Sequence, residues 1–515
     1  MAAQAIFSPF SNRLSSLSSN SHHPRITNFA KPFLVRCLNS VQNIDSATIR
    51  RSANYVPSFW DYSFVKSLNS DYTEEKYAER YEKMKEEVRC LIRAAMEPLE
   101  RLELIDAVQR LGLRYQFEIE IKNAVQNVVN QTSDQDALFH HDLHSTSLRF
   151  RILRQHGFHV PQEIFDRFKD ESGHFKADLC NDVKGLLSLY EASFFGLEDE
   201  NTIDDAKVFA TKHLKDVNEA ELAPLMARKV NHALDMPLHW RLNRVEARWF
   251  IDTYREETNK NLLLLEFAKL DFNMVQSIHQ KEVRKLAGWD INEIDRLPEN
   301  IKTCLLALFN TTNEIGYWTI REKGFNIIPY LSKVWATLCK AYRKEARWFH
   351  SGYKPTLKEY IDNAVVSIAA PIMLFYAYFL TTENISKEAL DYIYDLPSIM
   401  RCSSMLLRLT NDLGTSSDEL ARGDIVKSIQ CYMNDTGASE EIAREYINGL
   451  VHQTWKTLNK DMFRDYPFEE PFISACPNLG RTAQCFYQYG DGHGVPQHWT
   501  KDHLISLLVK PVPID

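Results

Sequence analysis

The chain has 515 residues, 44% of them apolar, which is enough for one or two large cores and excludes wholesale disorder. Its formal net charge of −8 leaves no basic footprint for nucleic acid, and nine cysteines without a CxxC pair suggest neither a disulfide scaffold nor a zinc site. Seventeen glycines are about half the usual share, which argues against hairpin-rich folds and glycine-rich phosphate loops.

Residues 1–49 hold nine serines, four Lys/Arg and a single acid, Asp45. That is the composition of an organellar transit peptide, more serine-rich than arginine-rich, and import into the plastid stroma is expected. Where this composition ends stand Arg50 and Arg51, followed after eight residues by Trp60. Two fixed cations there can hold a departing anion or clamp the N-terminal strand over a pocket.

The remainder reads as helix from end to end, so an all-α fold is expected. Leu104, Val108 and Leu111 form an i, i+4, i+7 stripe stopped by Gly112, and Leu263, Phe267, Leu270 and Met274 repeat the period. Thr356 with Glu359 is a capping-box signature, and Ser386 and Ser439 precede acidic helix-forming runs as N-caps would. His140, His141 and His144 lack a partner that would complete a zinc site and read as surface histidines. Asp204-Asp205, the only Asp-Asp pair, reads as a solvated helix start. The densest apolar run, Ala369 to Leu380, is too short to span a membrane, and a soluble chain is expected.

Two further patterns carry chemistry. Asn411, Thr415 and Glu419 are spaced i, i+4, i+8, which puts three oxygen donors on one helix face. The outer two lie about 12 Å apart along the axis, and Glu419 is long enough to lean back towards a cation near Thr415. Mg²⁺ takes few protein oxygens, several waters and phosphate oxygens, and the trio suits it. A solvated polar face has the same spacing. Arg408, one turn earlier, and Lys427, further on, can face the same phosphates. Tyr487 and Asp491 stand in an aromatic segment with Phe486 and Tyr489, where ring faces can stabilise a carbocation and exclude water, or simply fill core.

Together these residues resemble a plant terpene synthase. Arg50 to Trp60 is similar to the tandem-arginine motif of the monoterpene-forming branch. Asp142-Leu143-His144-Ser145-Thr146-Ser147-Leu148-Arg149-Phe150 and Arg154-Gln155-His156-Gly157 are similar to its N-terminal helical domain. Asn411 to Glu419 resembles the family's second metal-binding motif, Arg408 its diphosphate-binding arginine, and Tyr487 and Asp491 its C-terminal pocket-lining segment. The resemblance implies an N-terminal helical domain at 50–255 and a class I catalytic domain at 256–515. It also implies Mg²⁺ or Mn²⁺, geranyl diphosphate as substrate, a monomer, and lyase chemistry. Within that branch, Cys402 to Glu419 is most similar to members making ocimene, tricyclene, myrcene or isoprene-type products.

One departure accompanies the match. The chain runs from His279-Gln280-Lys281-Glu282 through Leu286-Ala287-Gly288 straight into Trp289-Asp290-Ile291-Asn292. In the family these stretches are separated by helices bearing a DDxxD motif, with an Arg-x-Arg pair upstream, and neither stands there in this chain. An internal deletion at about 288/289 is therefore expected, and with it weak or absent turnover. The alternative is a non-catalytic splice or pseudoenzyme form that binds a prenyl diphosphate or a partner synthase.

Overall fold

The computed structural model of the chain describes residues 62–95, 97–130, 142–217, 222–286, 299–421, 423, 426–493 and 498–514. Arg50, Arg51, Trp60, His140, His141 and the 288/289 junction lie outside them. Helices dominate, and among the described residues no strand occurs, only an isolated bridge from Lys169 to Phe175. The all-α expectation holds.

Among the described residues, the first ten α-helices are α1 (Tyr62–Ser67), α2 (Glu74–Ala94), α3 (Pro98–Arg110), α4 (Glu118–Asn130), α5 (Leu143–Gln155), α6 (Val183–Ser193), α7 (Asn201–Asp216), α8 (Pro224–Asp235), α9 (Asn243–Tyr254) and α10 (Leu262–Leu286). They bury Leu102, Val108, Phe117, Phe150, Leu186 and Ala210 in one core, which also takes Phe267 and Leu270 of α10. The stripe predicted on α3 turns slightly in the structure: Leu102, Ile105 and Val108 are sealed, while Leu104 is half-buried. Gly112 then stops the helix with φ +80°, a conformation a Cβ would strain.

A second core is built by α11 (Glu299–Lys323), α12 (Ile328–Ser351), α13 (Leu357–Ser367), α14 (Ala370–Thr381), α15 (Lys387–Tyr394), α16 (Ser398–Ala421), α17 (Ser428–Thr436), α18 (Glu440–Asp461) and α19 (Glu470–Tyr487). The final helix, α20 (His498–Leu508), is followed by Val512, which returns to the first core. The predicted caps form: Thr356 and Glu359 complete a reciprocal box, Ser386 accepts from Ala389 N at 3.1 Å, and Ser439 from Ile442 N at 3.4 Å. Trp455 and Phe472 anchor this core at 1% and 0% exposure, each burial stabilising by roughly 2–3 kcal/mol. Gly480 lets α19 lie against α16 and α18, because a Cβ there would stand 2.8 Å from Leu406 Cδ1 and 3.2 Å from the Trp455 ring.

Leu357–Thr381 as a whole is apolar and long enough for a membrane span, but 67% of its most apolar window is buried within the protein. Ala369, at φ +65°, divides it into α13 and α14, of 11 and 12 residues, each short of the length a bilayer requires.

The two cores are joined by polar contacts as well as by Trp240, which packs against both. Asn459 of α18 donates to Phe194 O (3.0 Å) and Gly196 O (3.1 Å), and its Oδ1 meets His239 Nε2 at 2.7 Å. Asp204 is more than a solvated helix start: both its oxygens take Lys456 Nζ of α18, at 2.6 and 2.8 Å. Asp205 matches the expectation, its side chain being 65% exposed. His144 is bound to Ser188 Oγ at 2.7 Å and to Glu103 at 3.1 Å.

Candidate active site

The C-terminal half of α16 carries the Asn411 motif, and α13, α18 and α19 pack around that helix. Asn411 and Thr415 are buried, at 8% and 3% exposure, and the Glu419 side chain is 16% exposed. The three do not splay into solvent, so the solvated-face reading of the spacing fails. Thr415 Oγ1 donates to the Asn411 carbonyl at 2.9 Å. Lys427 reaches Glu419 Oε2 at 3.4 Å from the turn that enters α17, not from a continuation of α16. That carboxylate oxygen is buried and takes no hydrogen bond.

Beneath the trio lies a residue the sequence reading passed over. Asp412 is fully buried and accepts from the Tyr360 hydroxyl of α13 at 2.9 and 3.1 Å and from Ser428 N, at the start of α17, at 3.1 Å. Arg408 Nε stands 3.0 Å from Asp412 Oδ1 but out of line for a hydrogen bond, while Nη2 donates to Asn411 Oδ1. Burial works against the Arg408 charge, yet Asp412, Tyr360, Glu345 and Glu419 outweigh it and hold the guanidinium firmly protonated. Burial, with Asp412 adding to it, likewise keeps the Tyr360 phenol neutral. One signal for Asp412 was present in the sequence, the i, i+4 spacing from Arg408, which is an ion-pair distance on a helix.

Tyr487 ends α19 beside this motif. Gly414 makes the approach possible: a Cβ there would stand 3.0 Å from Gly490 O, 3.1 Å from Tyr487 O and 3.2 Å from Tyr487 Cβ. The Tyr487 hydroxyl is pushed up to about 12 by burial and by the neighbouring Asp491, against a hydrogen bond from Asn411. Asp491 accepts from His493 N at 3.0 Å. The aromatic cluster expected here divides. Phe486 is buried and stacks on His493 at 4.4 Å, whereas Tyr489 is 43% exposed and bonds to Asp235 of α8, facing away from the motif. The structure therefore brings together Arg408, Asn411, Thr415, Glu419, Lys427, Tyr487 and Asp491.

The donor set is an amide oxygen, a hydroxyl and a carboxylate, all hard oxygens of the kind Mg²⁺ or Mn²⁺ takes. The orphaned, buried oxygen of Glu419 is the observation that fits a cation best, since such a group needs a positive partner closer than Lys427 stands. Among the described residues, no cluster of three or more His, Cys, Asp or Glu is arranged to hold a metal ion.

Residues 59–234 match the family model "Terpene synthase, N-terminal domain", and residues 279–457 match "Terpene synthase family, metal binding domain". The chain is 44% identical to a (+)-alpha-terpineol synthase of Santalum album, over 94% of this chain and 98% of that protein. It is 44% identical to a chloroplastic myrcene synthase of Quercus ilex, over 91% and 90%. Among solved structures, a limonene synthase with 2-fluorolinalyl diphosphate superposes with TM-score 0.83 at 36% identity, covering 90% of this chain and all of that one. Isoprene synthase from grey poplar, in complex with three Mg²⁺ ions and dimethylallyl-S-thiolodiphosphate, gives TM-score 0.78 at 37% identity, over 89% and 100%. With a relative this similar along nearly its whole length, and both family domains matched in order, the chain belongs to the terpene synthase family.

Proposed function

We propose that the chain descends from a plastid monoterpene synthase that ionises geranyl diphosphate, and that it retains one of the family's metal sites with weak or no turnover. Residues 50–255 form the N-terminal helical unit in this reading and 256–515 the catalytic one. The convergence of Asn411, Thr415 and Glu419 with Arg408 and Lys427 on one end of α16 carries the reading. A divalent cation held by that trio supplies Lewis-acid stabilisation to a diphosphate.

The chain's own residues supply the rest. Arg408 and Lys427, with Arg50 and Arg51 from the N-terminus, add fixed positive charge where the allylic C–O bond breaks and the electron pair departs with the diphosphate. The Tyr487 ring, with a phenol that burial keeps protonated, presents a π-face to the carbocation, and the neighbouring Asp491 adds negative charge beside it. Transfer of a proton from the cation to the released diphosphate then gives the olefin.

Weak turnover is supported by what the chain lacks. Its alignment to the Santalum album relative spans 564 positions, more than the 515 residues available, so that relative carries segments with no counterpart here. Beyond the 288/289 join, α11 exposes Phe309 (64%), Tyr317 (68%) and Ile320 (46%) on one face. An apolar stripe of that kind is what removal of a packed neighbour leaves behind. Each divalent cation that the chain cannot hold removes several kcal/mol of transition-state stabilisation, and about 1.4 kcal/mol is tenfold in rate.

Incubation of the purified chain with geranyl diphosphate and Mg²⁺, read by gas chromatography, is expected to give trace product or none. Abundant monoterpene would overturn the loss of turnover while leaving the site assignment intact.

A further inference from the structure

A cavity of about 170 Å³ opens between the two cores, roofed by the turn after α3 and floored by α18 and α19, away from the Asn411 motif. One water needs roughly 10–15 Å³ on the same measure, so the space admits a polyatomic ligand. Its wall is rich in arginine, and the arginines are unequally matched. Arg154 is fully engaged by Glu200 at 2.5 Å and by the Val160 and Phe195 carbonyls. Arg244 donates to Phe272 O at 3.1 Å and faces Asp271 at 3.9 Å.

Arg481 differs. Its Nε donates to His239 O at 2.8 Å and its Nη1 to Asn478 Oδ1 at 2.7 Å, both neutral acceptors. Among the described residues it forms no ion pair with a carboxylate. Across the cavity, Arg114 adds a second positive charge, and its counter-ion, Glu470 at 3.4 Å, is 56% exposed. Burial and then Arg114 push the Arg481 guanidinium down to about 10. The other carboxylate on the wall, Glu118, is exposed, and water screens its charge. A guanidinium that faces a cavity beside a like charge, with no carboxylate paired to it among the described residues, is suited to an anion, and the fork of an arginine suits phosphate oxygens two at a time.

We propose that this cavity binds a small oxyanion of the phosphate or diphosphate class, gripped by Arg481 from the second core and Arg114 from the first. The ligand bridges the two units and clamps them. Because Arg481 and Tyr487 share α19, about 9 Å apart along its axis, the same anion steadies the helix that holds Tyr487 against Asn411. Neither role depends on a metal or on turnover.

Isothermal titration of the full chain in EDTA, with inorganic phosphate, inorganic pyrophosphate and geranyl diphosphate in separate arms, tests this. Saturable binding is expected, weakened at least tenfold by Arg481→Gln and several-fold by Arg114→Gln, and unchanged by Arg408→Gln in the other site. Equal affinity for the inorganic ions and geranyl diphosphate identifies a free ion as the occupant. Affinity at least tenfold higher for geranyl diphosphate, kept in Arg408→Gln, shows that the apolar wall holds a tail as well. Absence of saturable binding, or binding lost in Arg408→Gln and kept in Arg481→Gln, overturns the proposal. Should Arg481→Gln fail to melt cooperatively by circular dichroism, the half-exposed Arg114 decides alone, and unchanged binding in its variant refutes the site.

Discussion

Of the carboxylates buried among the described residues, Glu246 in the first core and the Asp412–Glu419 pair in the second are finished differently. In the first core, Glu246 is held by Arg110 at 2.8 Å, Arg241 at 2.5 Å and His232 at 2.9 Å, with its side chain 4% exposed. Every strong acceptor site is filled from within the chain. In the second core, Asp412 takes Tyr360, Ser428 N and a misaligned Arg408, and a short way along α16 Glu419 keeps a buried oxygen that accepts no hydrogen bond and has Lys427 only at ion-pair distance, 3.4 Å. A closed ionic network fixes a fold. One that stops a partner short is where a ligand belongs.

Breaking the closed centre should have the largest effect. Glu246→Ala leaves Arg241 without its carboxylate and Arg110 with Glu191 alone, at 3.3 Å, and removing one member of a buried ionic group costs about 3–5 kcal/mol. Urea unfolding should record that loss, together with collapse of the first core before the second. The pH dependence follows from the same contacts. Burial alone would raise the Glu246 carboxyl, but Arg241, Arg110 and His232 hold it well below its ordinary value. Because the folded value is depressed, the stabilisation is complete above the unfolded glutamate value of about 4.3 and fades as pH falls from there towards the folded value. Glu246→Gln should flatten that acid limb. An unchanged acid limb would assign the acid sensitivity to other carboxylates.

A medium effect is expected where the two sides of the second site touch. Gly414→Ala places a methyl against Gly490 O and the Tyr487 backbone, and overpacking of that kind typically costs about 1–3 kcal/mol. The consequence that distinguishes it from a generic core defect is local. The Tyr487 hydroxyl loses its partner on Asn411, so its ultraviolet titration should move away from about 12, where the folded protein holds it. A variant that melts lower but titrates as before would show that α19 moves as a rigid piece without leaving Asn411.

How much of this was legible in the sequence depended on the range of the interactions involved. Caps at Thr356, Ser386 and Ser439 were readable because capping is decided within four residues. The Asn411, Thr415, Glu419 face was readable because one helix period sets it. Tyr360 was not, since it meets Asp412 from a different helix 52 residues away. Asp204 does stand half-exposed in the first turn of α7, but its partner was hidden for the same reason: Lys456 lies 252 residues along the chain. Tyr489 looked like a neighbour of Tyr487, but two steps beyond the end of α19 send it to Asp235 in the other unit. Arg481, which carries the cavity between the cores, offered no local pattern, because its meaning lies in having no carboxylate paired to it among the described residues.

The smallest effect on stability, and the sharpest on function, should come from Glu419→Gln. Among the described residues, the cation within ion-pair reach of Glu419 is Lys427, at 3.4 Å, and both side chains are mostly buried. The pair makes no hydrogen bond, and an amide still turns an oxygen to Lys427, so without metal the variant should melt close to the parent. With metal the two should separate. A cation bound only by the folded chain stabilises it by about 2.7 kcal/mol at a hundred times its dissociation constant. Mg²⁺ or Mn²⁺ should therefore raise the melting temperature of the parent and leave Glu419→Gln where it was, since an amide in place of the carboxylate removes the trio's only formal negative charge. A melting shift that survives in Glu419→Gln would place the cation elsewhere, and the open end of the second-core network would then be a packing defect, with no ligand to complete it.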